Sequence, residues 1–315
     1  MHNTVTLSLK KKIISRAKET LGFDDCRFTS PFVPGAIEKQ KDWLGRGYEG
    51  DMGYLRDHLP FKENPQKLLP GVKTAIVLIK NYKNTTARRL ANPLKIARYA
   101  VGKDYHLVMK EKLLELANFL KSEHPNANFY VGVDSSPIPE RALALKSGIG
   151  FLGKNSMVIK PGLGSYFFIG VILTTKEFLP DQALSWNCGE CRLCIDACPT
   201  QAIISNGVVD ARRCLSYQTI EQKTPMTAEQ IEKNRGWLFG CDICQEACPY
   251  NHDNTPLTNW KEFWPQAGVG FDFFTQKNLN ENSIPRETPL YRSRKRILPN
   301  LEKAACLIMQ GMKSA

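Results

Sequence analysis

Apolar positions recur with helical spacing in residues 7–21 and 34–46, then give way to KTAIVLIKNY, a nearly unbroken apolar run that predicts a buried strand ending near Tyr82. Beyond a polar loop come the short segment IARYA, a helix from about Asp104 to Ser122, and the strand NFYVGV, which stops at Asp134. A further helix over ERALALKSG leads into NSMVIKPGLGSYFFIGVILTT, which reads as two strands joined by the turn Pro161 to Gly164. Helices and strands alternate irregularly, so the pattern predicts the α+β class, with a layered sheet-and-helix domain over residues 1–180. A cysteine-rich domain over residues 181–284 and a short basic helical tail over residues 285–315 follow.

Composition narrows this picture. A chain of 315 residues with 42% hydrophobic content is long enough to bury two cores. No apolar run approaches the roughly eighteen residues that span a bilayer. The opening MHNTVTLSLKKKIISRAKETLG reads as an amphipathic helix rather than a signal peptide, so no membrane association and a cytoplasmic location are expected. Of ten cysteines, eight fall between Cys188 and Cys248. In a large chain of a reducing compartment that clustering points to metal ligands rather than disulfides.

The 43 Lys and Arg against 31 Asp and Glu leave a formal charge of +12, which suits an anionic partner such as nucleic acid. Lys10, Lys11 and Lys12 form one basic run and Arg88 and Arg89 another, while the last 31 residues hold seven basic and two acidic residues. Solvated helix faces use the same residue types, and bound iron–sulfur clusters with their thiolates lower the positive charge.

The stretch CGECRLCIDACP has the spacing C-x2-C-x2-C-x3-C-P. In the ferredoxin run of this form three close thiolates wrap one cubane and the fourth, next to proline, ligates a second. Structural zinc instead uses two separated knuckles that close one tetrahedron. Downstream, CDICQEACPY repeats the last three positions as Cys241, Cys244 and Cys248, and the missing first member stands upstream as Cys214. The crossover rule then assigns Cys188, Cys191, Cys194 and Cys248 to one [4Fe-4S] cluster, and Cys198, Cys214, Cys241 and Cys244 to the other. Cys26 and Cys306 are left over as small buried hydrophobes.

Other motifs are near misses. SGIGFLGKN places Gly148, Gly150 and Gly153 in G-x-G-x-x-G order, but it follows a helical segment and precedes strands, opposite to a dinucleotide site. Asn155 after Lys154 also lacks the hydroxyl of a Walker A loop, so these glycines are read as ending a helix and letting backbone approach a ligand. Asp104-Tyr105-His106 begins like the D-x-H-x-x-G segment that offers histidine to cobalamin, but Met109 replaces the glycine, and His106 reads as a hydrogen-bonded structural histidine. In VDSSPIPERALALKSG, Asp134 ends a strand before a proline-punctuated turn. A carboxyl group there serves as a proton donor if burial keeps it protonated, while Asp, Ser and Pro before a helix are also ordinary capping residues.

Taken together, VDSSPIPERALALKSGIGFLGKNSMVIKPGLGSYFFIGVILTT, IARYAVGKDYH, MGYLRDH and the two cysteine runs with Cys214 in RRCLSY resemble the epoxyqueuosine reductase family over nearly the whole chain. The resemblance implies a cobalamin-binding first domain, a ferredoxin-like two-cluster domain, and removal of the epoxide oxygen of epoxyqueuosine at the wobble position of tRNA. It makes Asp134, in the D-S-x-P-x-x-E-R motif, the proton donor. The corrinoid contacts it implies are Asp57, Ala97, Asp134, Val158 and Ser216, with the segment Gly240, Cys241, Asp242 closing over them. A low-potential donor such as a ferredoxin or flavodoxin is the expected source of electrons, and the enzyme is expected to be monomeric. Longer relatives append HEAT-type helical repeats, whereas RSRKRILPNLEKAACLIMQGMKSA leaves room for about one helix pair. The tail cluster Arg292, Arg294, Lys295 and Arg296 is the leading candidate for tRNA contact, with Arg88 and Arg89 second.

Two other classes use some of the same features. An electron-transfer subunit needs the cysteine region but not the domain of about 180 residues with a carboxylate motif ahead of it. A corrinoid enzyme acting on a small molecule makes the basic charge incidental, and titration with undermodified tRNA separates it from a tRNA enzyme.

Overall fold

The structure, a computed structural model, describes residues 2–84, 95–252, 254–266, 284–295 and 298. Its centre is a four-stranded antiparallel sheet in the order β1 (Asp25–Thr29), β2 (Thr74–Asn81), β7 (Phe167–Thr174), β4 (Phe129–Val133). Every residue of β2 is buried, which explains its unbroken apolar run in an antiparallel sheet: both faces are covered.

Alternation along β2 divides the core into two layers. Ile76 and Leu78 face helices α1 (His2–Ser15) and α5 (Tyr105–Glu123), where they meet Ile13, Met109, Leu113 and Leu116. Ala75, Val77 and Ile79 face α2 (Pro34–Gly45) and α6 (Glu140–Lys146), against Ile37, Leu143 and Ala144. Short helices α3 (Tyr54–Asp57) and α4 (Leu59–Glu63) connect α2 to β2. The sheet sandwiched between helices is the α+β layered architecture that the pattern predicts.

One strand pair differs from the expectation. The turn between Lys160 and Gly164 forms, but the strands on either side of it do not pair with each other. β6 (Val158–Ile159) pairs with β5 (Phe151–Leu152), while β7 lies between β2 and β4 in the central sheet. The tertiary sheet outcompetes the local hairpin because β7 has eight consecutive partners on β2 and β6 has room for two residues. β1 and β3 (Lys95–Ile96) are likewise formed by tertiary pairing.

The cysteine region carries a small hairpin, β8 (Ile203–Ser205) with β9 (Val208–Val209), and the helices α7 (Leu193–Asp196), α8 (Leu215–Ile220), α9 (Ala228–Lys233) and α10 (Ile243–Glu246). Its strand β10 (Trp237–Phe239) pairs in parallel with β3 of the first region. After α10 the chain returns to the first layer, where Trp260 and Phe263 are buried among the residues of α1, α5 and β7. Trp260 meets Phe23 edge to face at 5.2 Å, and Phe263 meets Phe168 at 4.9 Å. Among the described tail residues, α11 (Pro289–Arg292) packs beside the start of α5, where Asp104 N–H donates to the Glu287 carbonyl at 2.6 Å.

Candidate active site and paired thiol sites

The end of β4 and the start of α5 bring the first set of polar groups together. Asp104 caps α5: its Oδ1 accepts from the His106 backbone N–H at 3.0 Å. The same carboxylate oxygen lies 2.7 Å from Nδ1 of the His106 ring, and the other ring nitrogen, Nε2, lies 2.8 Å from Oδ2 of Asp134. Tyr105 Oη donates to that Asp134 oxygen at 2.8 Å, and its ring is stacked between Phe168 at 4.1 Å and His106 at 4.0 Å. Asp134 itself sits in the left-handed backbone region, φ +49°, which Asp and Asn tolerate better than most residues. Its backbone N–H donates to Glu140 Oε1 at 2.6 Å, which ties the turn to α6.

Asp134 keeps 58% of its side-chain surface open, whereas His106 and Asp104 retain 13% and 5%. The open carboxylate is thus supported from behind by groups that solvent barely reaches. Burial alone would raise the pKa of Asp134, but the hydrogen bond and charge of His106, with Tyr105 and Arg292, outweigh it and hold the carboxyl below its usual range. These partners thus oppose the protonation that burial would favour. His106 shows the opposite balance: burial pulls it down, and the hydrogen bonds of Asp104 and Asp134 outweigh that and hold it above its ordinary value. Glu140 lies well above the usual carboxyl range because of its burial and the charge of Asp134.

α4 and α6 supply two cations to the same neighbourhood. Arg141 Nη1 donates to the Ser156 carbonyl at 2.9 Å, and Lys62 lies within the fields of Arg141, Glu140 and Asp134. Asp57 ends α3 on the exposed side, five residues before Lys62.

A second group lies across Tyr99, whose ring is 6.0 Å from Tyr105 and whose hydroxyl is pushed well up by burial and by the charges of Asp134 and Asp242. Ala97 packs with Leu215, Trp237 and Cys241. Its N–H donates to the Phe239 carbonyl at 2.8 Å, and Arg98 N–H donates to Asp242 Oδ2 at 2.8 Å. Ser216 follows Leu215 on α8 and is partly exposed. Gly240 is required here, since its φ is +69° and a Cβ would stand 2.5 Å from that of Ala97. Ala97, Cys241 and Asp242 thus meet, Ser216 stands beside the Leu215 that packs on Ala97, and the Tyr99 ring lies between this group and Tyr105. Val158 does not present its side chain to this group: it is buried among Leu143, Ala144 and Ile149 on the α6 side of the sheet.

The eight clustered cysteines fall into two sets. Cys188, Cys191, Cys194 and Cys248 line one small cavity with Ile159, Pro249 and Tyr250. Cys198, Cys214, Cys241 and Cys244 form the second, each of the last three feeling the charge of Cys198. Burial pushes Cys248 up to about 11, and Cys241 and Cys244 well above the ordinary thiol value. Such thiols stay protonated unless a metal takes the proton's place, which suits a donor set built for a cluster. Among the described residues no three His, Cys, Asp or Glu side chains converge as a single-ion site. The thiolates of a cubane surround an inorganic core rather than one ion, so the four-by-four grouping fits two cubanes.

The G-x-G-x-x-G segment serves packing. Gly148 ends α6 at φ +79° with the Gln182 carbonyl pressed against the place where a Cβ would be, so its close neighbour is protein backbone and not a ligand. Lys154 Nζ then donates to the Gly189 carbonyl at 2.7 Å, and Asn155 Nδ2 donates to that of Cys244 at 3.3 Å, clasping both cysteine runs. Cys26 is buried in the first core layer, and Cys306 lies outside the described residues.

The basic candidates separate as well. Arg292 Nη1 stands 3.8 Å from Asp104 Oδ2, behind His106. The Arg294 guanidinium lies 4.0 Å over the Tyr291 ring, and Lys295 is exposed. Arg296, Arg88 and Arg89 lie outside the described residues.

Comparison with known proteins gives the arrangement its family. Residues 62–135 match the family described as epoxyqueuosine reductase QueG, DUF1730, and residues 187–251 match the 4Fe-4S double cluster binding domain. An epoxyqueuosine reductase of Cyclobacterium marinum is 38% identical, covering 88% of this chain and 91% of its own. One of Leadbetterella byssophila is 40% identical, covering 82% and 85%. A crystal structure of an epoxyqueuosine reductase with an epoxyqueuosine-modified tRNA-Tyr stem loop superposes with a TM-score of 0.82 at 28% identity, covering 96% of this chain and 81% of that one. A Bacillus subtilis epoxyqueuosine reductase, in which the catalytic aspartate loop is swung out of the active site, superposes with a TM-score of 0.81 at 27% identity, covering 98% and 83%. With relatives of this identity matched along most of its length, the chain belongs to the epoxyqueuosine reductase family, a family of oxidoreductases.

Proposed function

We propose that this chain deoxygenates epoxyqueuosine at the wobble position of tRNA to queuosine, with cobalamin and two [4Fe-4S] clusters as cofactors and Asp134 as the group that protonates the departing oxygen. The observation that carries the reading is the open Asp134 carboxylate, held by His106 and Tyr105, with the Tyr99 ring between Tyr105 and the Ala97–Asp242 group of the second thiol set. The stem loop bound to a relative of the same fold supports tRNA as the substrate class.

Bound cobalamin would supply the reducing equivalents at the epoxide carbon, and the residues present suit a large planar ligand with polar edges. Asp57 and Ser216 are partly or fully exposed, Asp242 is buried and fixed by Arg98 N–H, and Gly240 lets the Cys241–Asp242 segment pack closely on Ala97. Val158 would offer backbone only. Cys188, Cys191, Cys194 and Cys248 would hold one cluster and Cys198, Cys214, Cys241 and Cys244 the other, passing single electrons from a low-potential donor such as a ferredoxin or flavodoxin. The reaction takes place in the cytoplasm on a monomeric enzyme.

The reading is tested by nucleoside analysis. Fully loaded protein, supplied with a reductant, converts the epoxyqueuosine of tRNA to queuosine. Unchanged epoxyqueuosine after incubation with protein containing both clusters and cobalamin would overturn it.

Neutralising phosphates releases counterions, which makes tRNA affinity salt-dependent. Of the tail residues assigned to tRNA, Arg292, Arg294, Lys295 and Arg296, the first stands 3.8 Å from Asp104 Oδ2 and is left in place, so the test falls on Arg294, Lys295 and Arg296. Replacing these three with Gln is expected to lower the log–log salt slope by about 0.7 to 0.9 for each phosphate no longer neutralised. An unchanged slope removes the tail from the binding surface.

A further inference from the structure

We propose that His106, clamped between Asp104 and Asp134, is the store of the proton that Asp134 delivers, so that Asp134 passes on a proton it does not itself keep. The inference rests on the reading of Asp134 as the group facing the epoxide oxygen and adds where its proton comes from.

Both ring nitrogens of His106 face a carboxylate oxygen, Nδ1 at 2.7 Å from Asp104 and Nε2 at 2.8 Å from Asp134. A neutral imidazole carries one N–H, so one of these contacts would set two lone pairs against each other. The arrangement is satisfied with a proton on both nitrogens, or with one carboxyl protonated. Asp104 is a poor place for that proton. Its Oδ1 already accepts the His106 backbone N–H at 3.0 Å, Arg292 stands 3.8 Å from its Oδ2, and its own pKa is held low by these partners despite burial. Asp134 is equally poor, because its Oδ2 also accepts the Tyr105 hydroxyl at 2.8 Å and its pKa is lowered. The charged and titratable groups that face the ring are thus Asp104 and Tyr105 from the start of α5, Asp134 from the end of β4, and Arg292 from α11 behind Asp104, with Glu140 of α6 holding the Asp134 backbone. The proton resides on the imidazole.

The step balances without electron movement in the relay. The His106 Nε2–H bond breaks as an O–H bond forms on Asp134 Oδ2, and that O–H bond breaks in turn as the proton passes to the oxygen leaving carbon, which returns Asp134 to the carboxylate. The ring is left neutral with Nδ1–H on Asp104, a role like that of the carboxylate that orients histidine in hydrolase triads. Overall deoxygenation consumes two protons and two electrons and releases water, so a relay that stores one proton and delivers both refills twice per turnover, the electrons coming from the low-potential one-electron donor. Asp104 and Arg292 are positioning residues in this scheme.

The test uses the full chain with both clusters oxidised. Its five histidines are few enough to follow by nitrogen NMR, with the His106 signal assigned from a His106→Gln protein. His106 is expected to remain an imidazolium above the ordinary histidine midpoint of about 6.5. Asp104→Asn, which keeps the helix cap, is expected to bring that midpoint down. In single turnover with epoxyqueuosine-containing tRNA, the wild-type rate falls as pH rises through the same midpoint. Asp104→Asn moves this alkaline limb to lower pH, and His106→Gln abolishes it while lowering the rate by a factor of about 100 or more. A His106 midpoint at or below the ordinary value overturns the proposal, as does a limb unmoved by Asp104→Asn or a His106→Gln rate that keeps the wild-type limb. If loaded wild-type protein leaves epoxyqueuosine intact, the functional reading fails instead, and the NMR titration still decides where the proton sits.

Discussion

An Asp134→Asn protein turns over about 100 to 10,000 times more slowly than wild type, the range lost when a group that transfers a proton in the transition state is removed. The fold has no reason to change. Asn tolerates the left-handed backbone at φ +49° as well as Asp does, and the N–H donated to Glu140 belongs to the main chain. Iron, sulfide and cobalamin content are therefore expected to match wild type. The amide can still accept from Tyr105, so what is lost is the carboxylate that takes a proton from Nε2 of His106 and hands it on. Wild-type turnover in a fully loaded Asp134→Asn protein would return this residue to the part of a turn-forming cap.

Cys198→Ser and Cys248→Ser abolish turnover, and each does so by damaging the cluster built mainly from the other cysteine run. Cys198 belongs by sequence to the first run but lies with Cys214, Cys241 and Cys244, while Cys248 belongs to the second and shares the cavity of Cys188, Cys191 and Cys194. Serine replaces a soft thiolate by a hard, far less acidic hydroxyl, so the cluster that relied on it is lost or altered. Iron analysis of Cys198→Ser should fall from about eight toward about four per chain, with the remaining signal arising from the first-run cluster. Loss of the first-run cluster with the second intact would show that the crossing is misassigned.

The ligand spacing, the buried run of β2 and the long α5 were legible because each is a local pattern: thiol intervals, apolar continuity and helical periodicity. The pair β3 and β10 was not, since Ile96 and Phe239 meet across more than a hundred residues and neither segment is long enough to show a period. The hairpin read at Pro161 to Gly164 has the right turn, but the choice of partner for β7 is made by β2 and β4. At the active site, Asp134 was visible through its motif, whereas His106 read as structural. Its meeting with Asp134 depends on how the start of α5 lies against the end of β4, 28 residues away, and no spacing rule contains that. Lys62, Arg141 and Tyr99 were hidden for the same reason. Asp104 had one local signal, a carboxylate just before a helix, which states its capping role and not its second contact with the imidazole ring.

Trp260 and Phe263 complete the core layer of α1, α5 and the sheet, although they follow the whole cysteine region in the chain. This core layer is therefore completed by residues made after both cysteine runs. When the first region has emerged, the surfaces of Phe23 and Phe168 that these rings cover are still bare, and both cysteine runs must be made before the covering residues arrive. Although α1 and α5 already cover the rest of that face, the patch at Phe23 and Phe168 gains its cover only once Phe263 has left the exit tunnel, and that cover fastens down the chain that carries the thiols.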